Sequence, residues 1–425
     1  MNQNKKNKKK SKKSIEKSEF GFYGAKALFD PYFIPDQLIA RKKEQKYLLN
    51  LLDDSIEDRF SANVALYGLR GVGKTVLVNK TIQRLVNNVK QPEIENESEL
   101  NLIPFFVDCE GKEFDQVIFS IINGLAKRLD YDINPDMILS SNTASLWNLF
   151  KMLVNKLNAS LMIFIDSVEY INPKLINKLH DFAKSESIIL IHTFNAATSS
   201  PFLSDFKKPD FKISMDIYNY NSLFKIGKDR CRMAIRNRVD DSMIKYVVDL
   251  VGKFDKKVPG PMIRVLSDLY PVLEDYDPSM SNQIREVCRY QFQGFAIDEL
   301  SLADYIADSD ILDRIFVDNI TSYFKTTDEF YIDYEELKNN YVIACESIEQ
   351  KMSEKNFHST LKNLEQISLL LPSEIGLPEK EKVNSIGSNF MLQNNIHLNT
   401  LKSPRYITVP TDLLNDMMDI AFGAY

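Results

Sequence analysis

Gly68, Leu69, Arg70, Gly71, Val72, Gly73, Lys74 and Thr75 satisfy the phosphate-loop pattern G-x-x-x-x-G-K-[ST] at every position. Glycines let such a loop turn its successive N–H groups toward phosphate oxygens. Lys74 is then placed to neutralise the β and γ phosphates, and Thr75 offers a hydroxyl to a magnesium ion bridging them. ATP and Mg2+ are the expected cofactors. Asp166, at the end of the apolar run Leu161-Met162-Ile163-Phe164-Ile165, is the expected carboxylate partner of the metal. The residue after it is Ser167, where hydrolases of this kind carry a water-polarising glutamate; Glu169 follows two positions later. Asn195, closing the run Ile188 to Phe194, is the candidate for orienting water or sensing the γ-phosphate. Its plainer reading is a turn residue at the end of a buried strand.

These groups need elements to hold them. Asn63-Val64-Ala65-Leu66-Tyr67 reads as a buried strand, and Val76 opens a helix directly behind the loop, whose dipole adds positive potential at the phosphates. The run ending in Asp166 and the run ending in Asn195 read as further strands. A helix from Pro173 to Lys184 joins them at the spacing of a βαβ unit.

The chain has 425 residues, enough for two or three domains. No apolar run approaches the length of a membrane span, and Cys109, Cys231, Cys288 and Cys345 show no paired spacing, so a cytoplasmic protein with reduced thiols and no membrane partner is expected. His180, His192, His358 and His397 have no ligand spacing with cysteines, which sets a structural metal aside. The first nineteen residues hold eight lysines against Glu16 and Glu19, a balance of +6, which leaves −12 for the rest of a chain whose total is −6. Residues 1–20 are therefore expected to be a disordered basic tail that either attracts nucleic acid or merely solubilises.

Phe29-Asp30-Pro31-Tyr32-Phe33-Ile34-Pro35-Asp36-Gln37-Leu38-Ile39-Ala40-Arg41, continuing to Glu44, resembles the segment that precedes the phosphate loop in archaeal origin-recognition and cell-division-control replication initiators. That family's pattern is D-Y-x-P-x-x-L-x-x-R-x-x-E. Phe106-Val107-Asp108-Cys109 is similar to its second strand, and Tyr218-Asn219 with Ile226 and Arg230 to the start of its helical lid. Asp240-Asp241-Ser242 and Val258 to Leu266 resemble further lid landmarks. The resemblance implies an α/β fold: an AAA+ P-loop core with a parallel sheet (21–216), a helical lid (217–298) and a C-terminal winged-helix domain (299–425). It places Ile34 and Pro35 beside the adenine, makes Tyr218, Arg230 and Arg264 nucleotide-side candidates, and puts a DNA-touching insertion at the helix near Ser141 to Leu157. The implied partners are double-stranded origin DNA and a replicative helicase or other initiator subunits, at a nucleoid-associated location.

Three departures bear on turnover. Ser167 stands in place of the glutamate. Ile263 stands where the family's lid arginine is usual, with Arg264 one residue later. No arginine occurs in Leu203 to Lys208, where the family's trans-acting arginine falls. ATP binding is expected, with slow hydrolysis or none, because one positioned arginine is worth about a thousandfold in rate.

In the last third, helices are predicted over Ile311 to Phe324 and Tyr334 to Ile343. A helical stripe runs through Phe357, Leu361, Leu364, Ile367 and Leu370, followed by a short strand at Tyr406 to Pro410. Three helices and a β-ribbon read as a winged helix, whose third helix enters the major groove. Lys351, Lys355, Asn356, His358, Ser359, Lys362 and Asn363 are the candidate DNA contacts. Against that, residues 299–425 contain twenty-one acids and ten bases, a poor footprint for DNA. The leading reading is an ATP-binding replication initiator. The alternative is a hydrolysis-deficient paralogue acting as a nucleotide-dependent scaffold or regulator through protein contacts. A signalling ATPase with a fused winged helix would explain the loop but not the segment from Asp30 to Glu44.

Overall fold

The computed structural model describes residues 21–89, 102–132, 141–157, 159–198, 204–292, 297–375 and 402–423. The basic tail expected over residues 1–20 lies outside them. The chain forms two compact units, one of residues 37–222 with 257–260, the other of residues up to 36, 223–256 and 261–425.

In the first unit the order is α1 (Lys42–Glu57), β1 (Asn63–Gly68), α2 (Lys74–Val89), β2 (Leu102–Asp108), α3 (Phe114–Arg128), α4 (Thr143–Lys156), β3 (Ser160–Asp166), α5 (Pro173–Ser185), β4 (Ile189–Asn195) and β5 (Phe211–Met215). The strands make one parallel sheet in the order β2-β3-β4-β1-β5. Every residue of β3 from Leu161 to Asp166 is buried, as a central parallel strand covered on both faces requires. Register brings the strand ends level: Asp108 pairs with Asp166, and Gly68 with Asn195 and Met215. Gly68 must lack a side chain, since a Cβ there would sit 2.9 Å from both the Met215 carbonyl and Val72.

Helix α4, expected at a DNA-touching insertion, turns Leu146, Phe150, Leu153 and Val154 into the core against α3 and the sheet. The same core holds a polar pair. His180 on α5 and His192 on β4 face each other with their Nε2 atoms 2.7 Å apart. Burial pushes His180 down to about 4 and holds His192 well below the usual imidazole range, so the pair is neutral near pH 7 and shares one N–H···N bond.

The second unit contains the leading segment with its single turn Lys26–Phe29, then α6 (Tyr220–Ala234), which starts in the first unit, α7 (Asp241–Phe254), α8 (Pro259–Asp268) and α9 (Ser281–Gln291). These four, with the five-residue helix Tyr270–Glu274 between α8 and α9, are the helices of the lid. After them come α10 (Glu299–Asp308), α11 (Ile311–Thr327), α12 (Tyr334–Ser347), α13 (Glu354–Gln366), β6 (Leu370–Pro372), β7 (Arg405–Ile407) and α14 (Thr411–Gly423). Helices α11 to α13 bury Phe316, Phe324, Leu337, Tyr341, Phe357 and Leu361 in one core, and β6 pairs antiparallel with β7 as the stem of a wing. Residues 376–401, between the two strands, lie outside the described residues. The apolar stripe through Leu370 is not one helix. The chain leaves α13 after Gln366, Ser368 adopts φ 61°, and Leu369 N–H returns to the Leu364 carbonyl, so Leu370 starts a strand. Strand β5 and the helices α10 and α14 carry no motif and were not anticipated.

Candidate functional site

The phosphate loop leaves β1 at Gly68 and enters α2 at Lys74, with Gly71 at φ 81° and Gly73 at φ 94°. Both values lie in the left-handed region that favours glycine, which explains the two glycines. Leu77 N–H bonds the Gly73 carbonyl, so helical hydrogen bonding starts inside the loop. Lys74 Nζ donates to the carbonyls of Gly68 at 2.9 Å and Leu69 at 3.0 Å. Its burial lowers its pKa, against the opposing pull of the Asp166 and Glu169 charges.

Thr75 Oγ1 donates to Asp166 Oδ2 at 2.6 Å, bringing the two expected metal-side residues together. The other Asp166 oxygen accepts from the Thr193 hydroxyl, which in turn accepts the Ser167 N–H at 2.9 Å. Thr193 was missed. Its signal in the sequence is a polar residue two positions before Asn195, on the same strand face.

Ser167 adopts φ 57° and ψ 49°, and this left-handed residue starts the turn Val168–Tyr170 that brings Glu169 back to the strand ends. Glu169 Oε1 accepts the Asn195 N–H at 3.3 Å, while its buried Oε2 has no partner in the protein. Burial raises its pKa. The Asn195 side chain accepts the Ala197 N–H at 3.2 Å, which is the turn-closing role of its plainer reading.

Arg70, the third loop residue, pairs with Glu110 in the turn after β2, its Nη2 donating to both carboxylate oxygens at 2.7 and 3.0 Å. Glu110 was not foreseen, because nothing in the sequence brings position 110 near position 70. At the loop's other end Tyr218 OH accepts Arg41 Nε at 2.8 Å, with the guanidinium 4.1 Å from the ring centroid. That hydroxyl lies 3.8 Å from where a Cβ on Gly73 would be. Gly260 N–H donates to the Gly71 carbonyl at 3.1 Å, and a Cβ on Gly260 would stand 2.9 Å from Gly71 Cα.

One unit thus gathers Gly68 to Val76, Asp166, Glu169, Asn195 and Tyr218. Ile34, Pro35, Arg230 and Arg264 belong to the other. There, Arg230 donates to the Ala27 carbonyl at 2.7 Å and covers the Phe33 ring, so it holds the leading segment onto α6. Ile34 and Pro35 are half-buried, and Arg264 is exposed on α8.

On α13, Lys355, Asn356, Ser359, Lys362 and Asn363 are exposed, as is Lys351 just before the helix. His358 differs: its Nε2 meets the Tyr334 hydroxyl at 2.9 Å, turned toward α12. Both acids of the helix are engaged, Glu354 with Lys338 and Glu365 with Arg405. The net acidity of the carboxyl-terminal third is therefore not carried by this face.

Among the described residues, no group of three or more His, Cys, Asp or Glu is placed to hold a metal ion, and no helix is long and apolar enough to cross a membrane.

Residues 61–196 match the AAA domain family. The chain is 26% identical over 140 residues to an ORC1-type DNA replication protein 2 of Haloarcula marismortui, covering 33% of this chain and 32% of that protein. It therefore spans about a third of that relative's length. A crystal structure of Cdc6p from Pyrobaculum aerophilum shares the fold with a TM-score of 0.67 at 15% identity, covering 94% of this chain and 98% of that one. The Aeropyrum pernix ORC1 protein, solved in complex with DNA, gives 0.51 at 13% identity, covering 94% and 97%. The chain thus carries an AAA-domain match over residues 61–196, is similar over part of its length to an ORC1-type DNA replication protein, and shares the fold of Cdc6p.

Proposed function

We infer that the protein is an ATP-binding replication initiator whose winged helix binds origin DNA and which helps to recruit a replicative helicase. The observation that carries the nucleotide part is the convergence of Lys74, Thr75, Asp166, Glu169 and Asn195 at the ends of β1, β3 and β4. The phosphates fit this site. The loop glycines hold open a backbone cradle, the Lys74 ammonium rests on loop carbonyls that phosphate oxygens can replace, and the buried Glu169 Oε2 has no protein partner. Thr75 and Asp166 would hold magnesium, with the rest of its coordination from phosphate and water. When bound, the metal neutralises charge on the phosphates. Glu169 is the carboxylate available to orient water in place of Ser167. On α8, Arg264 stands one residue after Ile263 and so about 100° around the helix from it. Tyr218 is the proposed nucleotide-side residue of the unit that carries the loop, and Ile34, Pro35, Arg230 and Arg264 are the proposed ones of the other.

The DNA part is supported by the exposed Lys351, Lys355, Asn356 and Lys362 on and before α13, with His358 at the edge of that face. It is supported also by the DNA complex of the Aeropyrum protein. The acidity of residues 299–425 favours the second reading, a scaffold that binds protein through its carboxyl-terminal domain.

DNA retention with Mg-ATP, measured against salt, separates the two. An initiator loses affinity steeply with salt. Lys74→Ala should reduce ATP affinity by about a hundredfold or more and remove any nucleotide dependence of DNA binding. Unchanged ATP affinity in Lys74→Ala would overturn the site assignment, and absence of salt-dependent DNA binding would favour the scaffold.

A further inference from the structure

We propose that Arg70 is a γ-phosphate sensor supplied by the loop itself, and that Glu110 is the latch that holds it when no triphosphate is bound. The proposal rests on the nucleotide reading above and adds to it a means of telling ATP from ADP.

The loop has two distinguishable ends. Gly73 lies by Tyr218 and Arg41, while Arg70 lies against Glu110, in the turn after β2, and within electrostatic range of Glu169. Lys74, Glu169 and Tyr170 are all within electrostatic range of the Arg70 guanidinium. Lys74 marks the β and γ phosphates, and Thr75 with Asp166 marks the metal between them, so Arg70 flanks the terminal phosphate rather than the base.

Its present partner is replaceable. Arg70 and Glu110 side chains are 72% and 45% exposed, and an ion pair that open to water holds weakly. Both bonds to Glu110 come from the single Nη2, and a guanidinium carries further N–H donors of the kind that phosphate oxygens take. A γ-phosphate already held by Lys74 and the loop amides competes at high local concentration and carries more charge than one carboxylate. Glu110 is itself held in place, its N–H bonded to Asp108 Oδ1 at 3.0 Å in the turn after β2. That bond anchors the Glu110 backbone in its turn, and the longer, more exposed arginine is the part that moves. ADP offers no γ-phosphate, so Arg70 stays on Glu110. The absence of arginine between Leu203 and Lys208 leaves this role open to a residue in cis.

The test is equilibrium titration of the full chain with Mg-ADP and with the magnesium complex of the non-hydrolysable β,γ-imido analogue of ATP. Arg70→Ala should weaken the triphosphate analogue about tenfold and leave ADP within about twofold, tenfold being the effect of removing one charge-assisted hydrogen bond. Glu110→Gln, which releases the arginine, should tighten the analogue and leave ADP unchanged. Both positions are exposed, so both variants should melt like the wild type. Equal weakening of both nucleotides by Arg70→Ala, no change in either, or a weaker analogue in Glu110→Gln would overturn the latch. Failure of the wild type to bind either nucleotide would overturn the phosphate site itself, and the latch with it.

Discussion

At the scale of single residues, the site is set by close approaches that tolerate no added atom. Gly260 sits near the start of α8, where an alanine would favour the helix by up to about 1 kcal/mol. A Cβ there, however, stands 2.9 Å from Gly71 Cα, and backbone cannot rotate away as a side-chain tip can. The loop must shift, and with it the amides that meet the phosphates. Gly260→Ala should therefore lower the affinity for ADP and for a triphosphate analogue alike, by about tenfold or more, at little cost in melting temperature. Unchanged affinity for both would show that the contact does not set the loop. This pattern differs from that of Arg70→Ala, which spares ADP. Gly68 to Thr75 and Asp166 were legible because their chemistry depends on types at fixed spacing. Thr193 and Glu110 were not, since each acts through a register or a turn that only the folded sheet creates. Glu169 was visible as a candidate, but what brings it to Asn195 is a left-handed Ser167, and serine carries no sign of that conformation.

At the scale of elements, the lid and the carboxyl-terminal domain are pinned by polar groups inside one unit. Tyr246 of α7 donates to the Ile407 carbonyl of β7 at 3.1 Å, and Asn282 of α9 donates to Asp412 of α14 at 2.6 Å. Asp249 of α7 accepts from the Tyr331 hydroxyl at 2.8 Å and from the Glu374 N–H at 3.2 Å. Its burial outweighs those bonds and raises its pKa from 3.8 to about 6. The folded state therefore binds more protons than the unfolded one between those values, and stability contributed by this group falls as pH rises through that window. The full effect is about 3 kcal/mol, at 1.36 kcal/mol per unit. Asp249→Asn removes the titration. The wild type should gain melting temperature relative to this variant between pH 7 and pH 4.5, and parallel profiles would show that Asp249 does not titrate there. The helices that frame these pins, α11 and α12, follow from apolar periodicity. Strand β5, at the sheet edge, alternates buried and exposed over only five residues, too short a pattern to separate from the turn chemistry around it.

At the scale of the whole molecule, charge decides how DNA could be held. The chain carries a net −6, yet its first nineteen residues carry +6, and the exposed face of α13 carries lysines beside two acids already paired. Two sources of DNA affinity are therefore possible, and they separate by salt dependence. Each phosphate neutralised contributes about 0.9 to the slope of log affinity against log salt. Deleting residues 2–19 should remove a steep, sequence-independent component. Replacing Lys355 and Lys362 together by alanine in that shortened chain should flatten what remains by about 1 to 2 units, one unit for each phosphate left without its lysine. Asn356→Ala should leave the slope unchanged and relax discrimination between sequences, as expected of a side chain that reads a base edge. If the shortened chain retains DNA with the same slope after both lysines are gone, α13 is not the DNA-facing helix. If it retains none before they are replaced, the tail alone accounts for binding, and the acidic carboxyl-terminal domain is left to a protein partner.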